Sequence, residues 1–422
     1  MQNFFEELSW RDLVYDATDG LSDLFSRESV TVYVGFDPTA SSLHVGSLLP
    51  LMALARLQRA GHVPIAIIGG GTGMIGDPSG KSHERTLQTA EQVAHNLNGI
   101  RPQLARFLRF DGPQAARIVD NAEWLASLDV MTFLRDVGKH FTVNSMLQKE
   151  SVSRRLEQEE GISYTEFSYL ILQAYDFLQM FDRYGCVAQI GGSDQWGNIT
   201  AGIDLIRRLR AKKVHGLVMP LVTSASGTKF GKTEAGTVWL DRDRTSPFRF
   251  YQFWLNTDDR DVVRYLKFFT FLSREDIGAL ADATAARPDK REAQRVLARE
   301  VTALVHGSAD VEKAEEASSL LFGEDISRLP VDDLLAVFGD VPSVDVPAAE
   351  FNSGLALADL LMRAQLVPSK SEARRLLQSG GIYVNNRRVG DVQHRLRREE
   401  AIGGQLFVIR KGARQHALVR LA

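Results

Sequence analysis

Residues 31–68 read TVYVGFDPTASSLHVGSLLPLMALARLQRAGHVPIAII, and their pattern decides the fold. Thr31 to Phe36 is an apolar, partly β-branched run of strand length. Val45 to Ala60 repeats apolar residues at helical spacing and stops at Gly61, and Val63 to Ile68 is a second apolar run. Strand, helix, strand predicts a βαβ unit whose two strands run parallel. The loop Asp37 to His44 then lies at the carboxyl end of the first strand, the edge at which open α/β sheets bind ligands.

The same alternation returns downstream. Val187 to Ile190 reads as a strand, Gln195 to Arg210 as a helix and Leu217 to Val222 as a strand. The residues between the two units, about 82–184, are mainly helical in pattern and too numerous for a simple crossover, so they are expected to form an insertion. The expected architecture is α/β: a Rossmann-like parallel-sheet domain over 1–223 with its helical insertion, an α-helical domain over 224–328, a linker over 329–352 marked by Pro330, Pro342 and Pro347, and a small α+β domain over 353–422. In the last of these, Leu355 to Leu361 and Ser369 to Gln378 read as short amphipathic helices, with β-like segments at Ile382 to Val384 and Gln405 to Ile409.

Composition excludes several classes. The chain of 422 residues carries 44% hydrophobic and 24% charged residues, ordinary for a globular protein with proper cores. A single cysteine, Cys186, forbids an internal disulfide and any multi-cysteine metal site, and no metal site is expected. No apolar run reaches the ~20 residues of a membrane helix, and the N-terminus lacks a signal-peptide pattern, so a cytoplasmic protein without a membrane partner is expected. The net charge of −3 hides a segregation: Ser353 to Ala422 holds 13 Lys+Arg against 5 Asp+Glu, a surplus of +8 over a body of −11. A basic terminal segment of that kind points to a polyanion, most often nucleic acid.

Two glycine patterns imitate nucleotide motifs. Gly71, Gly73 and Gly76 satisfy G-x-G-x-x-G, but Asp77, Pro78, Ser79 and Gly80 continue the loop where a dinucleotide fingerprint must open a helix. Gly80-Lys81-Ser82 copies the end of a P-loop without its first glycine at the required spacing. What these glycines imply is backbone bare enough for a ligand to approach, with Asp77 as its fixed charge.

Two other segments carry chemistry together. Asp37-Pro-Thr-Ala-Ser-Ser-Leu-His44-Val-Gly-Ser47 runs from strand end to helix start, where unpaired N–H groups favour an anionic ligand and Gly46 permits close approach. Ser226-Gly-Thr-Lys229-Phe-Gly-Lys232-Thr233 is a glycine-containing loop with two lysines three apart, suited to delivering charge to a triphosphate on closure. Within the helical pattern Tyr164 to Leu178, Tyr169, Gln173 and Asp176 stand at i, i+4 and i+7 and share one face.

His44-Val-Gly-Ser47 and Lys229-Phe-Gly-Lys-Thr233 resemble the two signatures of class I aminoacyl-tRNA synthetases. Tyr33 to Thr39, Gly76 to Lys81 and Gln189 to Asn198 extend the resemblance, over essentially the whole chain, to the bacterial-type tyrosyl-tRNA synthetase family. Ala358 to Val389 resembles the small RNA-binding fold shared with a ribosomal protein and some pseudouridine synthases. The resemblance implies an enzyme that joins L-tyrosine to ATP as tyrosyl-adenylate and then to tRNA(Tyr), working as a homodimer, with ATP entering as a substrate with Mg2+ and no tightly bound cofactor. It implies that Tyr33 and Asp176 bind the phenol hydroxyl, that Asp77, Tyr169 and Gln173 hold the α-ammonium, and that Gln195 lies near the reacting carboxylate. Thr39 and His44 would contact the outer phosphates, with Lys81, Arg85, Lys229 and Lys232 as mobile cations. Asp37, Gly46, Ser47, Gly192, Asp194 and Lys232 would serve ATP binding. Two positions depart from the pattern: Ser47 replaces the last histidine of the first signature, and Val34 stands where some relatives have cysteine. A serine hydroxyl still donates and accepts, so altered ATP affinity is expected without loss of chemistry. A non-catalytic RNA-binding protein on the same scaffold is the alternative, and a tryptophan enzyme is disfavoured because an indole offers one donor and no acceptor to Tyr33 and Asp176.

Overall fold

The computed structural model describes residues 3–79, 86–157, 161–225, 230–233, 236–322, 326, 331, 334–335, 341–412 and 415–422. They divide into two compact units, Met1–Thr245 with Phe253–Val305, and Ser246–Gln252 with His306–Ala422.

The first unit is built on a six-stranded sheet. Its strands are β1 (Asp16–Ala17), β2 (Thr31–Phe36), β3 (Val63–Ile68), β4 (Arg117–Asp120), β5 (Cys186–Gly192) and β6 (His215–Met219), in the order β1-β6-β5-β2-β3-β4. From β6 to β4 every pairing is parallel; only β1 is antiparallel, with Asp16 opposite Val218. The order reverses beside β2, whose two neighbours are β3 and β5, and this switch point opens a crevice at the carboxyl ends of the strands. β3 is buried over Pro64–Ile68, as a central strand covered on both faces must be. Helices α1 (Leu48–Arg59), α2 (Tyr164–Tyr184) and α3 (Trp196–Arg210) pack on the sheet, and α2 ends on Gly185 in the left-handed conformation at φ 62°.

β2 and β3 fall where the sequence places them. Other elements differ, each for a local reason. The helix expected from Val45 starts as a 3-10 turn, Val45–Ser47, because the His44 side chain caps it by accepting from the Gly46 N–H at 3.0 Å. The stretch expected as a helical insertion contributes β4, which pairs Val119 with Ile67. Four residues with only Ile118 and Val119 apolar are too short to stand out among helical neighbours. The last strand is His215–Met219 rather than Leu217 to Val222: Pro220 has no N–H for a ladder.

Helices Pro247–Leu255, Asp259–Phe269, Arg274–Ala286, Glu292–His306 and Ser308–Phe322 bear out the helical pattern. The C-terminal part of the second unit is a five-stranded sheet of β9 (Ser343–Val346), β10 (Ile382–Val384), β11 (Arg387–Val389), β12 (Leu406–Lys411) and β13 (Gln415–Leu421), numbered after the hairpin β7 (Lys232–Thr233) and β8 (Gly236–Thr237). Helices Leu357–Arg363 and Lys370–Gln378 cover it around Phe351, Leu361, Leu377 and Phe407. The expected linker therefore needs correction. Its end supplies β9, parallel to β13, and Val346 and Phe351 are buried in the core. Pro342 and Pro347, the residues that signalled a linker, bracket a strand at the sheet edge, where proline is tolerated.

Candidate active site

The crevice at the switch point holds a cavity of about 190 Å³. That is below the ~300–1,000 Å³ of sites for drug-sized ligands and suits a ligand of amino-acid size. Every element around the switch contributes to it: Tyr33 from β2, Asp37 beyond its end, Thr72 and Asp77 from the loop after β3, Asn121 after β4, Tyr169, Gln173 and Asp176 from α2, and Gln189, Gly192 and Gln195 from β5 and beyond. The i, i+4, i+7 face of α2 thus lines this cavity rather than facing solvent.

At the bottom lie two buried groups, Tyr33 at 1% exposure and Asp176 at 3%. Asp176 accepts from Asn121 Nδ2 at 2.9 Å and from Trp124 Nε1 at 2.8 Å. Burial pushes its carboxyl up to about 7, while these two donors pull in the opposite direction. The Tyr33 phenol is pushed well above its ordinary range, by burial first and then by the Asp176 charge, so it stays a protonated donor. Its hydroxyl has no hydrogen-bond partner among the described residues. A buried unpaired hydroxyl costs about 1–3 kcal/mol, which a ligand that pairs with it recovers. The Gln189 carbonyl oxygen is buried without a described partner as well.

A ring of hydrogen bonds closes the upper wall. Gln195 Nε2 donates to Asp77 Oδ2 at 2.7 Å, Gln173 Nε2 to Gln195 Oε1 at 3.1 Å, Asn198 Nδ2 to Gln173 Oε1 at 2.9 Å, and the Ser79 N–H to Asp77 Oδ1 at 2.9 Å. Tyr169 donates its hydroxyl to Asp37 Oδ1 at 3.3 Å. Among the described residues the lining includes Asp37, Asp77 and Asp176 and no lysine, arginine or histidine. Carboxylates facing one small space favour a ligand carrying an ammonium group.

Three of the glycines after β3 also have a packing role. A Cβ on Gly70 would stand 2.1 Å from Asp120 Oδ1, one on Gly71 2.9 Å from Leu125, and one on Gly73 2.9 Å from Pro38. At these three positions the protein's own side chains occupy the space beside the backbone, whereas Gly69 lines the cavity.

The two signature segments meet beside this pocket. Val45 N–H donates to Val238 O at 3.0 Å, Leu240 N–H to Leu43 O at 2.9 Å, and Val238 N–H to Gly231 O at 3.0 Å. Gly231 has φ +78°, and a Cβ there would stand 2.5 Å from Val45 Cγ2, so glycine is required twice over. Phe230 anchors the lysine loop, buried and stacked on Phe269 with ring centroids 5.3 Å apart. His44 is exposed and accepts at Nδ1 from Gly46, which leaves its proton on Nε2 as a donor in the neutral ring. Thr39 is exposed, Gly46 and Ser47 are half-buried, and Ser47 makes no side-chain cap to α1. Asp194 sits in the 3-10 turn Ser193–Gln195, and its carboxylate fills the place a Cβ on Gly192 would need. Thr39, His44, Gly46, Ser47 and Asp194 do not line the cavity itself. Lys81, Arg85 and Lys229 lie outside the described residues, as does the side chain of Lys232.

Asn121 and Trp124 belong to the site and were not singled out from sequence, and Gln189 and Asn198, the two ends of a motif noted there, were given no role. The signal for the first two was β4: residues just past the carboxyl end of a sheet strand lie at the ligand edge. Among the described residues no group of three or more His, Cys, Asp or Glu is placed to hold a metal ion, and no helix is long and apolar enough to cross a membrane.

Comparison with known proteins agrees along the whole chain. Residues 26–323 match the family described as tRNA synthetases class I (W and Y), and residues 333–419 match the tyrosine–tRNA ligase SYY-like C-terminal domain. A tyrosine–tRNA ligase of Roseiflexus castenholzii is 57% identical, with 100% of both chains covered, and tyrosine–tRNA ligase 1 of Bacillus subtilis is 51% identical with 99% of each covered. The crystal structure of a C-terminally truncated mitochondrial tyrosyl-tRNA synthetase of Aspergillus nidulans superposes with a TM-score of 0.70 at 31% identity, covering 76% of this chain and 95% of that one. The chain belongs to the tyrosine–tRNA ligase family of class I tRNA synthetases.

Proposed function

We propose that the cavity binds L-tyrosine, with its phenol against Tyr33 and Asp176 and its ammonium against Asp77, Tyr169 and Gln173, and that the two signature segments hold ATP beside it. The observation that carries this reading is the pairing at the bottom of the cavity: a buried hydroxyl without a partner next to a buried carboxylate. A phenol satisfies both, accepting from Tyr33 and donating to Asp176. Phenylalanine does neither, and an indole accepts nothing.

The reaction follows from that placement. The tyrosine carboxylate attacks the α-phosphorus of ATP, the bond to the bridging oxygen breaks, and pyrophosphate leaves with the electron pair. The nucleophile is already ionised, so no general base is needed. Rate comes from alignment and from donors aimed at the charge that grows on the phosphates. His44 Nε2–H and Thr39 serve the outer phosphates, with Lys81, Arg85, Lys229 and Lys232 as mobile cations. Asp37, Gly46, Ser47, Gly192 and Asp194 serve the nucleotide, and Gln195 the reacting carboxylate. Mg2+ enters with ATP, carried by the triphosphate as part of the substrate. The terminal adenosine hydroxyl of tRNA(Tyr) then attacks the mixed anhydride, giving tyrosyl-tRNA and AMP.

The finer assignments complete the reading. Residues 1–223 together with the lysine loop that opens 224–328 carry the chemistry, the helices of 224–328 follow on the anticodon side, and the basic C-terminal domain, extended upstream to include β9, grips tRNA. The protein works in the cytoplasm as a homodimer. Supporting the dimer, Val130, Met131, Leu134, Val143, Leu147, Leu156 and Tyr164 are all large, apolar or aromatic and exposed within one 35-residue stretch. The test is transfer of labelled tyrosine to tRNA(Tyr) by the full chain. Adenylate formation without transfer would leave the tRNA assignment wrong, and neither step would return the non-catalytic alternative.

A further inference from the structure

A second cavity, of about 360 Å³, shares no lining residue with the tyrosine pocket. It is enclosed by Glu7, Trp10 and Arg11 near the N-terminus, Arg56 and Arg59 of α1, and the turn Phe271 to Glu275. Arginine dominates it. Arg11 and Arg56 are buried at 2% and 3% exposure, while Arg59 and Arg274 stand at its exposed rim.

The two buried arginines are served unequally. Arg11 donates from Nε to Glu7 Oε1 at 2.6 Å, from Nη1 to the carbonyls of Lys267 and Thr270 at 2.9 and 3.2 Å, and from Nη2 to that of Leu272 at 2.7 Å. Arg56 uses Nη2 alone, toward the carbonyls of Lys267, Phe268 and Thr270 at 3.2, 2.9 and 2.7 Å. Its Nε and Nη1 are buried with no partner among the described residues. The hydrogen bonds of Glu7 go elsewhere, Oε1 accepting from Arg11 and Oε2 from Trp10 Nε1 at 2.7 Å. Arg59 lies over the Phe271 ring, 3.3 Å from its centroid.

The lining thus holds four guanidinium groups against the carboxylates of Glu7 and Glu275, a surplus of two positive charges, and Arg109 adds its field to Arg59. Carbonyls at the end of the Asp259–Phe269 helix offset only part of it, since a helix terminus offers about half a charge. A buried cation without a counterion is expensive, and an anion seated here removes that cost. Two surplus charges and planar guanidinium forks match a doubly charged tetrahedral oxyanion better than a halide. We propose that this cavity is a binding site for a small phosphate-class oxyanion, separate from the site of tyrosine and ATP and held by Arg56, Arg59 and Arg274.

The experiment follows the thermal midpoint of the full-length protein in rising inorganic phosphate, with ionic strength held constant by chloride and without tyrosine or ATP. Ligand that binds the native state raises the midpoint saturably. His44→Ala controls for phosphate in the ATP site and should keep the response. Arg59→Ala and Arg274→Ala should each raise the apparent Kd for phosphate at least tenfold, and Arg59→Lys should lie between them and the parent. Tyrosine-dependent pyrophosphate exchange should be unchanged in the rim variants, which shows that they remain folded. A response lost in His44→Ala, one equal in the parent and both rim variants, or none that saturates overturns the proposal.

Discussion

Replacing Asp176 by asparagine should change stability by an amount that depends on pH, costing most at pH 5 and least at pH 8. In the folded protein without tyrosine the Asp176 carboxyl is held at about 7, because burial penalises its charge more than Asn121 and Trp124 favour it. In the unfolded chain it titrates near ~3.9. Between those values the folded state keeps a proton that the unfolded state has lost, so stability falls as pH rises through this window. Integrated with about 1.4 kcal/mol per pH unit, wild type loses on the order of 2–3 kcal/mol between pH 5 and pH 8 from this group alone. Asparagine does not titrate and escapes that loss. It pays a different cost at every pH, since its one oxygen can accept from Asn121 Nδ2 or Trp124 Nε1 but not both, and an unmet buried donor costs about 1–3 kcal/mol. The variant should therefore be less stable than wild type at pH 5, and the difference should move in the variant's favour by about 2–3 kcal/mol by pH 8. Urea unfolding of both proteins across pH 5–8, without tyrosine, reads the difference. At pH 8 the same substitution should cut the preference for tyrosine over phenylalanine about 10- to 150-fold, the worth of one hydrogen bond to a charged acceptor at about 1.5–3 kcal/mol. A stability difference constant with pH would refute the assignment of a raised carboxyl. Unchanged amino-acid preference would remove Asp176 from recognition.

Three further outcomes follow. Tyr33→Phe deletes a buried hydroxyl that has no described partner, so the free protein should keep or gain stability in thermal melts, while discrimination against phenylalanine in adenylate formation falls about 2- to 15-fold; a loss above ~1 kcal/mol in stability would mean the hydroxyl is paired. Gly70→Ala should destabilise by about 1–3 kcal/mol, read as a lower urea midpoint, because the new Cβ would sit 2.1 Å from Asp120 Oδ1; a neutral result would contradict the packing role given to this glycine. His44→Ala should slow adenylate formation in single-turnover experiments by ~10²–10³-fold with tyrosine affinity nearly unchanged, and Lys232→Ala likewise, whereas a large loss of tyrosine affinity in either would contradict their place on the phosphate side.

Long apolar elements were legible in the sequence and short or marginal ones were not. β2 and β3 stand out because each is a six-residue, nearly continuous apolar run, with Pro64 confined to the second position of β3. β4 and β9 have four residues each, lie beside helices or prolines, and take their strand identity from neighbours supplied by distant parts of the chain. The site divides in the same way. Tyr169, Gln173 and Asp176 share a helical face that spacing alone reveals, but Asn121 and Trp124 reach Asp176 only because β4 joins the sheet edge. The glycine loop is ambiguous for a physical reason: bare backbone signals close approach without saying whether a ligand or the Asp120 carboxylate makes it, and Gly69 lines the cavity while Gly70 meets Asp120.

The most direct test of the account is ATP–pyrophosphate exchange by the intact protein with tyrosine, phenylalanine or tryptophan as the only amino acid. The pairing of Tyr33 and Asp176 requires exchange that depends on tyrosine, with the other two inactive or strongly disfavoured. Exchange supported equally by phenylalanine, or none with tyrosine from folded protein, would contradict it.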